Sequence, residues 1–219
     1  MFKRAGFFVL CVLMAASAAF AQDYRVEGSG YFGWTFSEGV PINPVTIGGE
    51  TFNEVNPTSG ASYGFSFGVF FTENMEIEFA WDRQDSALEG KGRGVKREFV
   101  DMNLNNYHAN FVYNFGDDRS TLRPFIFGGL GATQASPDDI MGQSIESSTR
   151  FSSNWGGGLK AYPARNVGIK LMARWVPTYV KSEPGGIWCS PYWPWVCYQL
   201  VDNQYINQFQ LAGGVTFRF

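Results

Sequence analysis

Residues 63–82 read YGFSFGVFFTENMEIEFAWD, and this stretch decides the fold. Tyr63, Phe65, Phe67, Val69 and Phe71 occupy every second position, while Gly64, Ser66 and Gly68 lie between them. After Thr72-Glu-Asn-Met75 the alternation resumes, with Ile77, Phe79 and Trp81 in one phase and Glu76, Glu78 and Asp82 in the other. A period of two puts successive side chains on opposite faces of a strand, so the segment predicts a hairpin with a short turn.

The same pattern runs outward in both directions. Phe32, Trp34 and Phe36 alternate with Tyr31, Gly33 and Thr35, in a first strand near residues 25–37. In 106–115, Tyr107, Ala109, Phe111, Tyr113 and Phe115 oppose Asn106, His108, Asn110 and Asn114. Residues 122–132 form a further strand whose phase is open, because Gly128 and Gly129 permit a bulge. Trp155, Leu159 and Ala161 oppose Asn154 and Lys160, and Val167, Ile169, Leu171, Ala173 and Trp175 oppose Lys170, Met172 and Arg174. The last strand sets Tyr205, Phe209, Leu211, Val215, Phe217 and Phe219 against Gln204, Gln208, Gln210, Thr216 and Arg218. Eight strands follow, an even count that brings both ends to one rim. The connections 72–75, 116–121 and 163–166 are tight, whereas 38–59, 86–103, 136–149 and 181–203 are long and polar.

Composition agrees with an unusual solvent. Charged residues are 17% of the 219, while 21 Phe, 10 Tyr and 7 Trp accompany 26 Gly. Soluble domains carry roughly 25% charged residues. One face holds Glu76, Glu78, Asp82, Lys160, Lys170, Arg174 and Arg218, with both signs spread over several strands, and the other face is aromatic. A lumen of paired charges inside a ring-covered wall satisfies both observations. The expected fold is all-β: an eight-stranded antiparallel up-and-down transmembrane β-barrel. Eight strands leave an interior just wide enough for side chains or one small ligand, which disfavours a general pore.

Lys3 and Arg4, the apolar run 6–16 and Ala19-Phe20-Ala21 have the order of a secretory signal peptide, so residues 1–21 are expected to be removed and 22–219 to form the barrel domain. The mature chain is then more acidic than the formal −3 of the whole sequence, which argues against nucleic acid. Cys11 leaves with the signal, and Cys189 and Cys197 are expected to pair in an oxidising compartment. The single histidine, distant from both cysteines, offers no zinc site, and no metal or cofactor is expected.

Several strings imitate catalytic motifs. Gly28-Ser-Gly-Tyr-Phe-Gly33 spells a dinucleotide fingerprint and Gly60-Ala-Ser62-Tyr-Gly64 a nucleophile elbow, but both sit in strand-like alternation without the helix that either chemistry needs. His108 phases with the lumen, where a hydrogen-bonded histidine is the simpler reading. The basic residues Lys91, Arg93, Lys96 and Arg97 lie in a long connection and could meet lipopolysaccharide phosphates. Residues 187–198, with three Trp and two Tyr in a segment that holds both cysteines, form an apolar knob expected to contact lipid, a partner or the barrel mouth.

Residues 60–78, 122–131, 155–160 and 214–219 together resemble the small outer-membrane β-barrels of Gram-negative bacteria, of the OmpA-like and OmpW-like kind. The resemblance implies the cell outer membrane as location, outer-membrane lipids and lipopolysaccharide as surroundings, and a monomer. It also implies that Val215, Phe217 and Phe219 form the signal met by the barrel assembly machinery. A non-enzymatic structural or surface-contact role is the primary expectation. The alternatives are a narrow conduit for a small hydrophobic ligand and a lipid-modifying enzyme.

Overall fold

A computed structural model describes residues 26–47, 50–92, 94, 96–117, 120–138, 147–180, 188–189, 197–198 and 204–219. In chain order the strands are β1 (Val26–Ser37), β2 (Val40–Ile47), β3 (Glu50–Pro57), β4 (Gly60–Phe70), β5 (Met75–Gly92) and β6 (Lys96–Asn114). They continue as β7 (Leu122–Pro137), β8 (Ser148–Ala161), β9 (Val167–Val180), β10 (Trp188–Cys189), β11 (Cys197–Tyr198) and β12 (Gln204–Arg218). Eight of them close a ring in the order β1-β4-β5-β6-β7-β8-β9-β12, with every neighbouring pair antiparallel. The seam runs from Glu27 opposite Arg218 to Ser37 opposite Gln208. Below it, the Val26 N–H donates to the Phe219 carbonyl at 3.1 Å and the Phe219 N–H to the Val26 carbonyl at 2.9 Å. Closure leaves no unpaired strand edge in the ring, the condition for a sheet to stand in hydrocarbon.

The rings face outward. Phe65, Phe79, Phe111 and Leu171 are 49%, 46%, 48% and 54% exposed, whereas Glu78 and Lys170 are buried. Trp34, Trp81, Trp155 and Trp175 lie on the loop side of this band, where the Trp155 and Trp175 indole N–H groups donate to Ser153 Oγ and Asn207 Oδ1, both at 3.1 Å. Amphipathic rings with one polar partner mark the lipid–water interface. At the opposite rim the turns are short. Gly116 takes φ 81°, a left-handed conformation that favours glycine, and Asn74 Nδ2 ties this turn to its neighbour by donating to the carbonyls of Asn114 (2.6 Å) and Gly116 (2.8 Å).

Two of the long connections prove to be sheet. The 86–103 segment is not a loop, because β5 and β6 pair from Met75–Tyr113 up to Lys91–Lys96, with one shift after Leu88. Within 38–59, β2 and β3 form a hairpin, and β3 pairs Leu88–Gly92 of β5, continuing the place on β5 that β4 holds below. The wall therefore rises past the mouth as a sheet ordered β2-β3-β5-β6. The permitted bulge in 122–132 is absent, since β7 keeps one register against β6 and β8 throughout. The signal segment 1–21 lies outside the described residues.

Candidate functional site

The inward positions of the ring hold tiers of charge, stacked from the turn rim toward the mouth. In the lowest tier Lys160 Nζ, from β8, stands 2.5 Å from Glu27 Oε1 on β1 and 3.1 Å from Glu76 Oε2 on β5. Glu27 Oε2 also accepts from the Tyr162 hydroxyl at 2.5 Å and from Arg218 at 3.4 Å, and Asn114 Nδ2 donates to Glu76 at 3.3 Å. Above it Lys170 Nζ is 2.6 Å from Glu78 Oε2, and Asn110 Nδ2 donates to Glu78 Oε1 at 3.2 Å. The Phe125 ring lies 5.2 Å from Lys160 Nζ and 5.4 Å from Lys170 Nζ, a cation–π contact to both.

In the third tier Arg174 pairs with Asp82, which accepts from Asn106 Nδ2 at 3.1 Å. Thr133 donates to Asn106 Oδ1 at 2.6 Å and lies within hydrogen-bond distance of Ser152 Oγ at 3.0 Å, and His108 Nε2 shares a 2.9 Å hydrogen bond with Ser152. β5 and β9 stand opposite each other in the ring, so the Glu78–Lys170 and Asp82–Arg174 pairs cross the lumen. A neutral layer follows, in which Gln208 donates to Gln84 at 2.8 Å, Gln210 to Ser62 at 2.6 Å and Thr35 to Ser62 at 3.0 Å.

Above that layer the lumen changes character. Val40, Ile42, Val55, Leu88, Met102, Leu104, Ala135 and Val180 form a buried apolar cluster, with Val100 and Ile206 packed against it. The expectation of a polar lumen therefore holds only up to the Gln84–Gln208 layer. The physical reason is the solvent outside: where lipid covers the wall the polar face turns inward, and where water covers it the apolar face does.

Glu76, Glu78, Asp82, His108, Lys160, Lys170, Arg174 and Arg218 are thus all buried in the lumen, though His108 belongs to a hydrogen-bonded rather than an ion-paired group. Glu27, Arg123, Tyr162, Thr133 and Ser152 complete the tiers and are not among the lumen residues that the sequence reading names, whereas Asn106 shares the inward phase read for His108. Glu27 shares its phase with Ser29, Tyr31 and Thr35, which was a usable signal, whereas Arg123 sits on the strand whose phase was open. Arg123 Nη2 donates to the Glu73 carbonyl at 2.8 Å. Gly28–Gly33 lies inside β1 and Gly60–Gly64 inside β4, with Ser62 buried, so neither imitates its motif in space.

Val215, Phe217 and Phe219 point outward along the last strand. Lys91 and Lys96 face each other on the β5–β6 hairpin, with Lys91 Nζ 3.3 Å from Glu54 Oε1; Arg93 lies outside the described residues. Cys189 and Cys197 are directly opposite in the β10–β11 ladder, but their side chains, and so the expected disulfide, lie outside the described residues.

The chain matches the outer membrane protein beta-barrel domain family over residues 7–219. Over 113 residues it is 26% identical to the lipid A deacylase PagL of Pseudomonas aeruginosa, a stretch covering 52% of this chain and 61% of that protein's length. Its backbone is similar to that of Neisserial surface protein A, with a TM-score of 0.56 at 16% identity over 90% of this chain and 98% of that one. It is also similar to OprG from Pseudomonas aeruginosa, with a TM-score of 0.56 at 12% identity over 90% and 95%. At these identities the two structures speak for the fold alone.

Proposed function

The chain belongs to the outer membrane protein beta-barrel domain family and resides in the outer membrane, and from that premise we propose a non-enzymatic barrel with a structural or surface-contact role. The supporting observation is the lumen. A path along the axis would have to part Lys160 from Glu27 and Glu76, Lys170 from Glu78 and Arg174 from Asp82. Leaving one member of a buried pair alone costs about 3–5 kcal/mol, so the interior acts as a plug. Planar-bilayer recording tests this: the barrel is expected to give no unitary conductance steps, and reproducible steps would overturn it.

The contacts of this reading are on the outside. The aromatic wall meets acyl chains, Lys91, Lys96 and Arg97 on the upper hairpin meet lipopolysaccharide phosphates, and the strand ending in Val215, Phe217 and Phe219 meets the assembly machinery. A conduit for small hydrophobic molecules is the second reading, favoured by the apolar mouth; uptake of an apolar solute that is lost on deleting residues 181–203 would support it.

The deacylase relative raises an enzymatic reading. Hydrolysing a membrane lipid needs a base and nucleophile on the lipid-facing wall, whereas the chain's one histidine, His108, is buried in the lumen against Ser152. Expression is therefore expected to leave the lipid A mass profile unchanged, with or without His108→Ala. Loss of an acyl chain that His108→Ala abolishes would establish the enzyme instead.

A further inference from the structure

One cation at the top of the lumen has no partner among the described residues. Arg150 shares the inward face of β8 with Ser152 and Asn154, yet among the described residues its guanidinium makes no hydrogen bond or ion pair, and its Nε is buried without an acceptor. The carboxylates below are committed elsewhere: Glu27 and Glu76 to Lys160, Glu78 to Lys170 and Asp82 to Arg174. Arg150 borders a partly open cavity of about 40 Å³, lined by Met102, Leu104, Val180 and Ile206 together with Thr133 and Thr178. Arg150 is half-buried, so its guanidinium keeps some access to water, but its Nε is cut off without an acceptor, whereas Lys160, Lys170 and Arg174 below it each meet an acid.

We infer that this cavity binds a short-chain carboxylate, its two oxygens on the Arg150 guanidinium and its hydrocarbon tail among Met102, Leu104, Val180 and Ile206. The guanidinium fork matches a planar carboxylate bidentately. A phosphate dianion would call for a second free cation, and Lys170 and Arg174 already hold acids. Volume sets the size. The space is that of roughly three water molecules, which suits a carboxylate with a tail of a few carbons and excludes a long acyl chain. Apolar walls select for that tail against smaller, fully hydrated anions. The site belongs to the barrel whatever the upper sheet contacts, so it and the surface-contact role fail separately.

The test uses the full mature barrel in zwitterionic lipid nanodiscs, labelled with 13C at the Met and Ile methyl groups, and titrated with butyrate. The Met102 and Ile206 signals are expected to shift saturably. Butyramide, neutral and of the same shape, is expected to bind roughly tenfold or more weakly, the worth of a charge-assisted hydrogen bond. Arg150→Gln is expected to cut butyrate affinity by a similar factor while leaving butyramide unchanged. Because that substitution removes an unpaired charge, the variant is expected to retain its folded mobility on unheated gels and to melt no lower than the parent. The inference is overturned if butyrate gives no saturable shift, if butyramide matches it, if Arg150→Gln retains affinity, or if octanoate binds more tightly than butyrate.

Discussion

Lys160 bridges two carboxylates from different strands, Glu27 and Glu76, and all three side chains are fully buried. Lys160→Met is therefore expected to destabilise the barrel by about 3–5 kcal/mol in urea unfolding from lipid vesicles. Adding Glu27→Gln and Glu76→Gln is expected to recover much of that loss, because the penalty lies in the carboxylates left alone. A second residue-scale expectation concerns Gly68, whose hydrogen faces the Glu76 carboxylate where any Cβ would collide with it. Gly68→Val is expected to displace Glu76 from Lys160 and to lower the yield of heat-modifiable barrel on refolding. Both acids that face Lys160 were within reach of sequence reading, since Glu76 and Glu27 occupy polar phases of clear alternations. Which cation each would meet was not, because the partners lie on strands that only closure brings face to face.

Strand β6 changes its apolar phase along its length. From Tyr107 to Tyr113 its outward odd positions are rings and Ala109, but at Met102 and Leu104 the apolar residues occupy even positions and are buried at the mouth. The switch falls at Asn105-Asn106, where two polar residues stand side by side, and it was visible in the letters. In context it is masked, because the charged residues and three glycines of 86–103 resemble a connection rather than a hairpin paired on both sides. Leu104→Ala is expected to cost about 2–4 kcal/mol in the same unfolding assay, as a buried truncation. Ala109→Leu, on the lipid-facing side of the strand, is expected to be neutral or mildly stabilising. In the β10–β11 ladder the opposition of Cys189 and Cys197 suits a cross-strand disulfide, since directly opposed residues stand about 4.5–5.5 Å apart at Cα. Iodoacetamide is expected to label neither cysteine until a reductant is added; labelling of the untreated protein would refute the pairing.

For the whole molecule, the outward apolar run from Tyr107 on β6 to Phe115 just past its end measures nine residues, roughly 30 Å along a strand and somewhat over 20 Å once tilted by about 40°. The barrel is accordingly expected to refold faster and to higher yield in dilauroyl than in dioleoyl lipid vesicles, followed by its gel mobility before boiling. Alternation, aromatic content and the spacing of turns made the closed barrel and its membrane location readable from the chain, because a strand's two faces must each match a different medium and the sequence records that match position by position. Folding alone decided the rest. Opposite walls meet only when β1 closes on β12, so the identity of each ion pair, the rise of β2 and β3 above the mouth, and the cavity beside Arg150 come from distances across the lumen, which no local periodicity encodes.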